Sequence, residues 1–412
     1  MSAEVRLLAV VLGVVAIVGC TKSEPPDTAT AVVQRDFVAL DRELMNLLLA
    51  GDFDRLETAL SAVLLEHEAD PGKERQVEVA FDTFYRANAD LEEPLTKWIQ
   101  AKPKSYSAHL ARAAYYTSVA WERRQGGYAR LTSDVQFAEM RRYFAKAASD
   151  LAVARRLNPA AVQPIVYQME GIINDGDRDA MQQLYEEALR IDPTSVAARW
   201  QYLWSLLQRW GGTIEQMEGV VEGARRYQER NPSLRILEGR VAAEGGSQAL
   251  LDRNCDAAKP HLDEALKAGD HWYYLHEAAM WDYVCAGRIA DVVPKLRRAI
   301  AHRPNAVNVY QTAFLMGHSL YGLGHYAEAI GFLDVQLTIK PQDHKSRQLR
   351  GDSYFRLGRM DRALQDFSEI VRLAPDNQEY AADLHLVKTL IDEELCTRDP
   401  GNPDGAWVCK KG

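Results

Sequence analysis

The sequence predicts an all-α protein, a solenoid of stacked helix–turn–helix units that is well preserved near its C-terminus and degenerate before it. Three observations predict it. Helical apolar periods run through almost all of the 412 residues, and no stretch is dominated by the alternation of a strand. The segment Gly317–Pro341 recurs as Gly351–Pro375, displaced by 34 residues, with Gly324 answering Gly358 and Ala329 answering Ala363. A glycine also stands 17 residues before a proline at Gly176/Pro193, Gly287/Pro304, Gly324/Pro341 and Gly358/Pro375. A unit of this length cannot bury its apolar face alone, so it stacks on its neighbours.

Composition sets the outer limits. With 47% hydrophobic residues, burial is not limiting, and the formal charge of −9 speaks against nucleic acid, which needs a basic footprint. Asp41–Glu93 holds 14 acidic and 5 basic residues, so that segment alone carries −9. Such a run reads as the solvated face of amphipathic helices rather than as a patch for a basic partner.

The first element is a leader, residues 1–19. Met1–Arg6 precede a twelve-residue apolar run, Leu7–Val18, too short to cross a bilayer and suited to a secretory core. Ile17-Val18-Gly19-Cys20 resembles a bacterial lipobox, in which the chain is cut before a cysteine that is then lipidated. That resemblance implies lipidation of Cys20. Thr21 rather than Asp follows it, which implies an outer-membrane lipoprotein facing the periplasm. Residues 20–35, including Glu24-Pro25-Pro26-Asp27, read as a polar tether.

Residues 36–232 read as a degenerate, all-helical repeat-like domain. Leu40, Leu44, Leu47 and Leu48, then Leu56, Leu60, Val63 and Leu64, each form one buried helical stripe. Further helices are expected over 74–86, 90–101, 107–120, 135–157, 178–191 and 214–230. Three clusters stand out: Trp98 with Pro103 and Ser105; Trp121-Glu122-Arg123-Arg124-Gln125-Gly126; and Arg209-Trp210-Gly211-Gly212-Thr213 followed by Met217. On these residues the N-terminal half resembles an uncharacterised family of exported proteobacterial repeat-like proteins, a domain of unknown function. It implies an architecture and no activity. Trp121, Arg123 and Trp210 are candidate partner contacts, since Trp and Arg are enriched at binding hot spots. The bland reading is that each tryptophan wedges between helices while the glycines end one. Trp200 and Trp204 are expected in the core.

Residues 233–395 form the clear repeat domain, with units at about 273–306, 310–343 and 344–377. Gly358 suits a helix C-terminus because glycine accepts positive φ, and Ala363 and Gly351 are small where two helices meet. These residues resemble the tetratricopeptide repeat, although Arg347 stands where that consensus has an aromatic residue. The resemblance implies a right-handed solenoid and a protein or peptide partner. On the inward faces of the first helices, Tyr310, Phe314, His318, Arg347 and Arg350 are candidate contacts.

Besides Cys20, the cysteines are Cys255, Cys285, Cys396 and Cys409, an even number that suits two disulfides in an exported chain, with three connectivities open. Antiparallel stacking of neighbouring helices favours Cys255–Cys285. Cys396 and Cys409 then close a C-terminal tail, residues 396–412, rich in Pro, Gly and Asp. The alternative is four buried thiols.

Catalytic motifs fail on inspection. Gly317-His318-Ser319-Leu320-Tyr321 lacks the last glycine of a nucleophile elbow and lies within a repeat helix. His276-Glu277 begins a zinc motif, yet Met280 replaces its second histidine, and His271 lies five residues away on another face. No Cys-x-x-Cys and no Gly-rich phosphate loop occurs. No cofactor or metal is therefore expected. Two readings remain: a membrane-tethered, non-enzymatic interaction scaffold of the cell envelope, or a helical enzyme or small-ligand protein with its site near Trp121–Gly127 and Trp210–Thr213. A deep pocket with converging polar groups favours the second.

Overall fold

The structure, a computed structural model, describes residues 28–124, 132–308, 311–393, 395–398 and 407–409. Helices α1 (Thr28–Ala50), α2 (Phe53–Ala69), α3 (Glu74–Asp82) and α4 (Glu92–Ala101) come first. Helix pairs then follow in chain order: α5 (Tyr106–Arg124) with α6 (Asp134–Leu157), and α7 (Gln163–Ile172) with α8 (Arg178–Ile191). Next come α9 (Val196–Ser205) with α10 (Ile214–Arg225) and α11 (Arg240–Leu251) with α12 (Cys255–Lys267). The last pairs are α13 (Trp272–Trp281) with α14 (Ile289–His302), α15 (Thr312–Gly322) with α16 (Tyr326–Ile339), and α17 (His344–Arg356) with α18 (Met360–Leu373). Helix α19 (Gln378–Asp392) ends the stack. The chain is an all-α solenoid.

Local chemistry explains the boundaries. The four glycines of the 17-residue spacing, Gly176, Gly287, Gly324 and Gly358, all take left-handed backbone, with φ of 68°, 62°, 81° and 69°. Only glycine adopts that conformation without a Cβ clash, so each ends a first helix and lets the chain reverse. Capping boxes at Ser133/Gln136 and Thr213/Gln216 start α6 and α10, where orphaned N–H groups need acceptors. Gly317 meets a different demand: a Cβ there would stand 2.7 Å from Leu333 on the paired helix.

Helices α7 and α9 escape the sequence periods. They are short, and apolar or aromatic residues surround them: Ile165, Tyr167 and Met169 on α7, Trp200, Tyr202 and Trp204 on α9. Ten residues make only about three turns, in which a period is hard to read. Residues 28–35, expected in the tether, belong to α1. The leader, Cys20 and the first part of the tether lie outside the described residues. Among the described residues, no helix is long and apolar enough to cross a membrane.

The tail departs from the expected loop. β1 (Cys396–Arg398) and β2 (Trp407–Cys409) pair antiparallel, with Cys396 opposite Cys409 in register. Cys396 is disulfide-bonded and buried. The Trp407 N–H donates to the Gly358 carbonyl at 2.7 Å, which fastens the tail to the turn of the last repeat. Cys255, which starts α12, is bonded to Cys285 in the π-helical turn ending the next first helix, with 5.6 Å between their Cα atoms.

The acidic N-terminal segment is not merely a solvated face. Asp41 pairs with Arg86, Glu57 accepts from the Trp98 indole at 2.8 Å, and Glu74 is buried. Its carboxylates hold helices together.

Candidate functional site

The first helices α5, α7 and α9 pack on one another more closely than their second helices do, so their faces turn inwards. The curve is closed by a contact far apart in sequence. Arg303, at the end of α14, binds Asp82 at the end of α3 through two hydrogen bonds of 2.7 and 3.2 Å. Beside it, Arg75 Nη2 donates to the His302 carbonyl at 2.8 Å, and Asn305 donates to the Tyr85 carbonyl. These contacts close one side of a partly open cavity of about 1280 Å³.

Its wall is aromatic. Trp121 from α5, Tyr167 from α7 and both Trp200 and Trp204 from α9 line it, as do Trp210 and Trp272. Trp200 and Trp204, which the sequence places in the core, are half-buried: they pack against the apolar core and also line the wall. Their spacing of one helical turn puts both on the inward face of α9. Behind them lies the fully buried Arg240, with its guanidinium carbon 5.2 Å from the Trp200 ring and 5.6 Å from the Trp204 ring. His271 caps α13, and its ring lies 3.9 Å from that of Trp200. Burial, then the charge of Arg75, holds its imidazole well below the usual range, so it is neutral.

The carboxylates of the wall are engaged. Glu170 accepts from the Tyr85 hydroxyl and from the Trp121 indole at 2.7 Å, and burial pushes its carboxyl up to about 6. Glu74 accepts from Ser195 Oγ at 2.5 Å and from the Val196 N–H at 2.6 Å, at the N-terminus of α9. Burial, then the nearby Glu78, pushes its carboxyl up. Glu78 pairs with Arg75.

The two tryptophan motifs meet here. Gly211 takes a φ of 81° and a Cβ on Gly212 would collide with the Leu206 backbone at 2.0 Å, so the turn requires both glycines. The Trp210 carbonyl accepts from Arg178 Nη2 at 3.1 Å, which steadies the turn. Arg124 sits between the motifs, 5.8 Å from the Trp121 ring and 5.9 Å from that of Trp210. Arg123 is exposed outside the cavity wall, with Glu122 3.6 Å away. His271 and His276 do not converge on a metal, and no metal-holding group occurs among the described residues.

Residues 41–172 match the model of a domain of unknown function (DUF4034), and residues 344–377 match that of the tetratricopeptide repeat. The chain carries a tetratricopeptide repeat. No curated protein matches the sequence. Among solved structures it is similar to YrrB, "a TPR protein with an unusual peptide-binding site", at 17% identity over 58% of this chain and 99% of that one, with a TM-score of 0.29. Yeast Tom70 is 12% identical over 92% of this chain and 82% of its own, with a TM-score of 0.38. The TPR domain of P58(IPK) is 15% identical over 87% and 99%, with a TM-score of 0.27.

The matched tetratricopeptide repeat is the pair α17–α18. Its first helix joins those on either side through a polar row: Tyr321 donates to Asp352 at 3.3 Å, and Gln348 donates to Glu379 and Asp383 at 3.1 Å. Phe314 and His318 lie on α15, where the His318 ring meets Tyr283 edge-on at 5.2 Å. Burial, then Lys345, lowers the His318 imidazole below its usual range. Arg347 and Arg350 stand elsewhere. Arg350 binds the buried Asp366 on α18 at 2.6 and 2.8 Å and Asp334 on α16 at 2.6 Å. Arg347 donates to the Pro341 carbonyl at 2.6 Å and lies 3.7 Å from Asp366. Both guanidinium groups make contacts within the tetratricopeptide stack. Tyr310 lies outside the described residues.

Sequence reasoning missed Glu170, Arg240 and the Asp82–Arg303 pair, and it weighed His271 only as a metal ligand. The hydrogen bonds that define Glu170 come from residues 85 and 49 positions away, and nothing local marks it. Trp200 and Trp204 carried a usable signal in their spacing.

Proposed function

We propose that the protein is a non-catalytic interaction scaffold of the bacterial cell envelope. It is anchored by lipidated Cys20 to the outer membrane, faces the periplasm, and presents its stacked repeats to a protein or peptide partner. The supporting observation is the continuous polar row from Tyr321 through Gln348 and Asp352 to Asp383, which runs across three successive first helices. A rigid surface of this kind loses little conformational freedom on binding, and a tether confines its search to the membrane. Crosslinking of the lipidated protein in its own cells, followed by identification of what co-purifies, tests the scaffold. A Cys20→Ser chain should leave the membrane fraction; if it stays there, the anchor is wrong.

A second reading is favoured by a specific observation. The cavity between the tryptophan motifs is concave, aromatic and lined by polar groups, as small-ligand sites are. A helical protein that holds a small ligand there is compatible with a partner surface on the C-terminal repeats.

A further inference from the structure

The geometry points to a site for a small anionic amphiphile in the central cavity, with a carboxylate or phosphate head at Arg209 and an apolar body across Trp200 and Trp204. This deepens the ligand-cavity reading and rests on it.

Every wall carboxylate has an internal match. Glu74, Glu78, Asp82 and Glu170 are engaged as described above. Asp270 is held by Arg298, and Glu122 lies beside Arg123. A cationic ligand would therefore find only the exposed Glu122 without breaking a bond the fold already uses.

The donors are not matched in the same way. Arg209 and Arg235 both line the cavity and are exposed, and neither has an ion pair among the described residues. Gln201 Nε2 and Trp210 Nε1 belong to wall residues, are buried, and have no hydrogen-bond partner among the described residues. What remains over is thus of one kind, N–H donors and positive charge. A buried donor left without an acceptor is costly, so an incoming acceptor is favoured there.

Position adds to the inventory. The Arg209 guanidinium carbon stands 4.8 Å from the Trp204 ring. An anion bound to it lies next to an aromatic surface continuous with Trp200. Burial, then the charge of Arg209, pulls the Arg124 guanidinium down, so the two cations oppose one another. An anionic head beside them removes that repulsion. Val166, Ile236 and the indole faces offer the remainder of the ligand an apolar surface.

The test uses the full chain with Cys20→Ser, titrated below their micellar concentrations with laurate, dodecyl phosphate, dodecyltrimethylammonium and octyl glucoside, with tryptophan fluorescence and calorimetry as readouts. Both anions should bind at least about ten times more tightly than the cation or the glucoside. The ratio between the two anions distinguishes a carboxylate from a phosphate source. Arg209→Glu should weaken both anions at least about tenfold with no change in Tm, Arg209→Lys should retain most of the affinity, and Gln201→Leu should weaken both anions. Equal binding of cationic and anionic probes, or anion binding indifferent to Arg209→Glu, overturns the inference while leaving a ligand cavity. Absence of binding by all four probes overturns both. Partner capture by Arg209→Glu, measured by the crosslinking above, separates either outcome from failure of the scaffold reading.

Discussion

Arg303 grips Asp82 across 221 residues of sequence, and both side chains are largely shielded from water. The guanidinium also lies 4.8 Å from the Trp272 ring. This contact ties the N-terminal helices to the fifth helix pair and turns an open curve into a walled cavity. Removing Arg303 leaves a shielded carboxylate without its cation. We expect Arg303→Ala to cost about 2 kcal/mol, and the cycle with Asp82→Ala to show a coupling of about 1 to 3 kcal/mol in urea unfolding. Amide exchange should rise in α3 before it rises elsewhere. Additive single effects would mean that the pair does not close the cavity.

Arg350 supplies a second test, because a partner contact and a structural contact behave differently on truncation. Its guanidinium satisfies Asp366, which is only 2% exposed. Arg350→Ala should destabilise the chain by about 3 kcal/mol, since it strands a buried carboxylate. Arg350→Ala with Asp366→Leu should recover much of that loss. A variant of unchanged Tm would return Arg350 to the list of surface contacts.

Glu170 should report on the cavity through pH. Its folded carboxyl lies at about 6 against an ordinary value of 4.5, so the folded state holds the proton more tightly than the unfolded one. The stabilisation from this group is present below pH 4.5 and is lost as pH rises to about 6, a change of about 2 kcal/mol. Glu170→Gln should gain about that much relative to the parent between about pH 4.5 and about pH 7.5 in urea unfolding. Trp121 fluorescence should titrate near pH 6 in the parent and stay flat in the variant.

The Cys255–Cys285 bridge closes a span of 30 residues. In the chain-entropy model a loop of that size contributes about 3 to 4 kcal/mol, by restricting the unfolded chain. Reduction, or Cys255→Ser with Cys285→Ser, should lower the urea midpoint accordingly. A reduced chain as stable as the oxidised one would show that the bridge does not stabilise by restricting the unfolded chain.

The repeats were legible because their chemistry is local. A glycine that must take positive φ at Gly324 or Gly358, a proline that ends the second helix, and small residues such as Gly317 where helices touch all act within one 34-residue unit. The same locality put Cys255 and Cys285 near one another, since their helices are neighbours in the stack. Helices α7 and α9 were hidden because each has only ten residues, too few turns for a period to stand out.

Arg347 and Arg350 mark the limit. Their helix was readable, but the direction of each side chain depends on Asp334 and Asp366, placed by the neighbouring units. Sequence alone thus determined an all-α stack of repeats, because each unit is specified by residues within reach of its own turn. The curvature that brings Arg303 to Asp82, and the charge balance of the cavity it encloses, were decided only by tertiary structure. Small rotations accumulate over successive helix pairs, and no single pair encodes where the ends of that path meet.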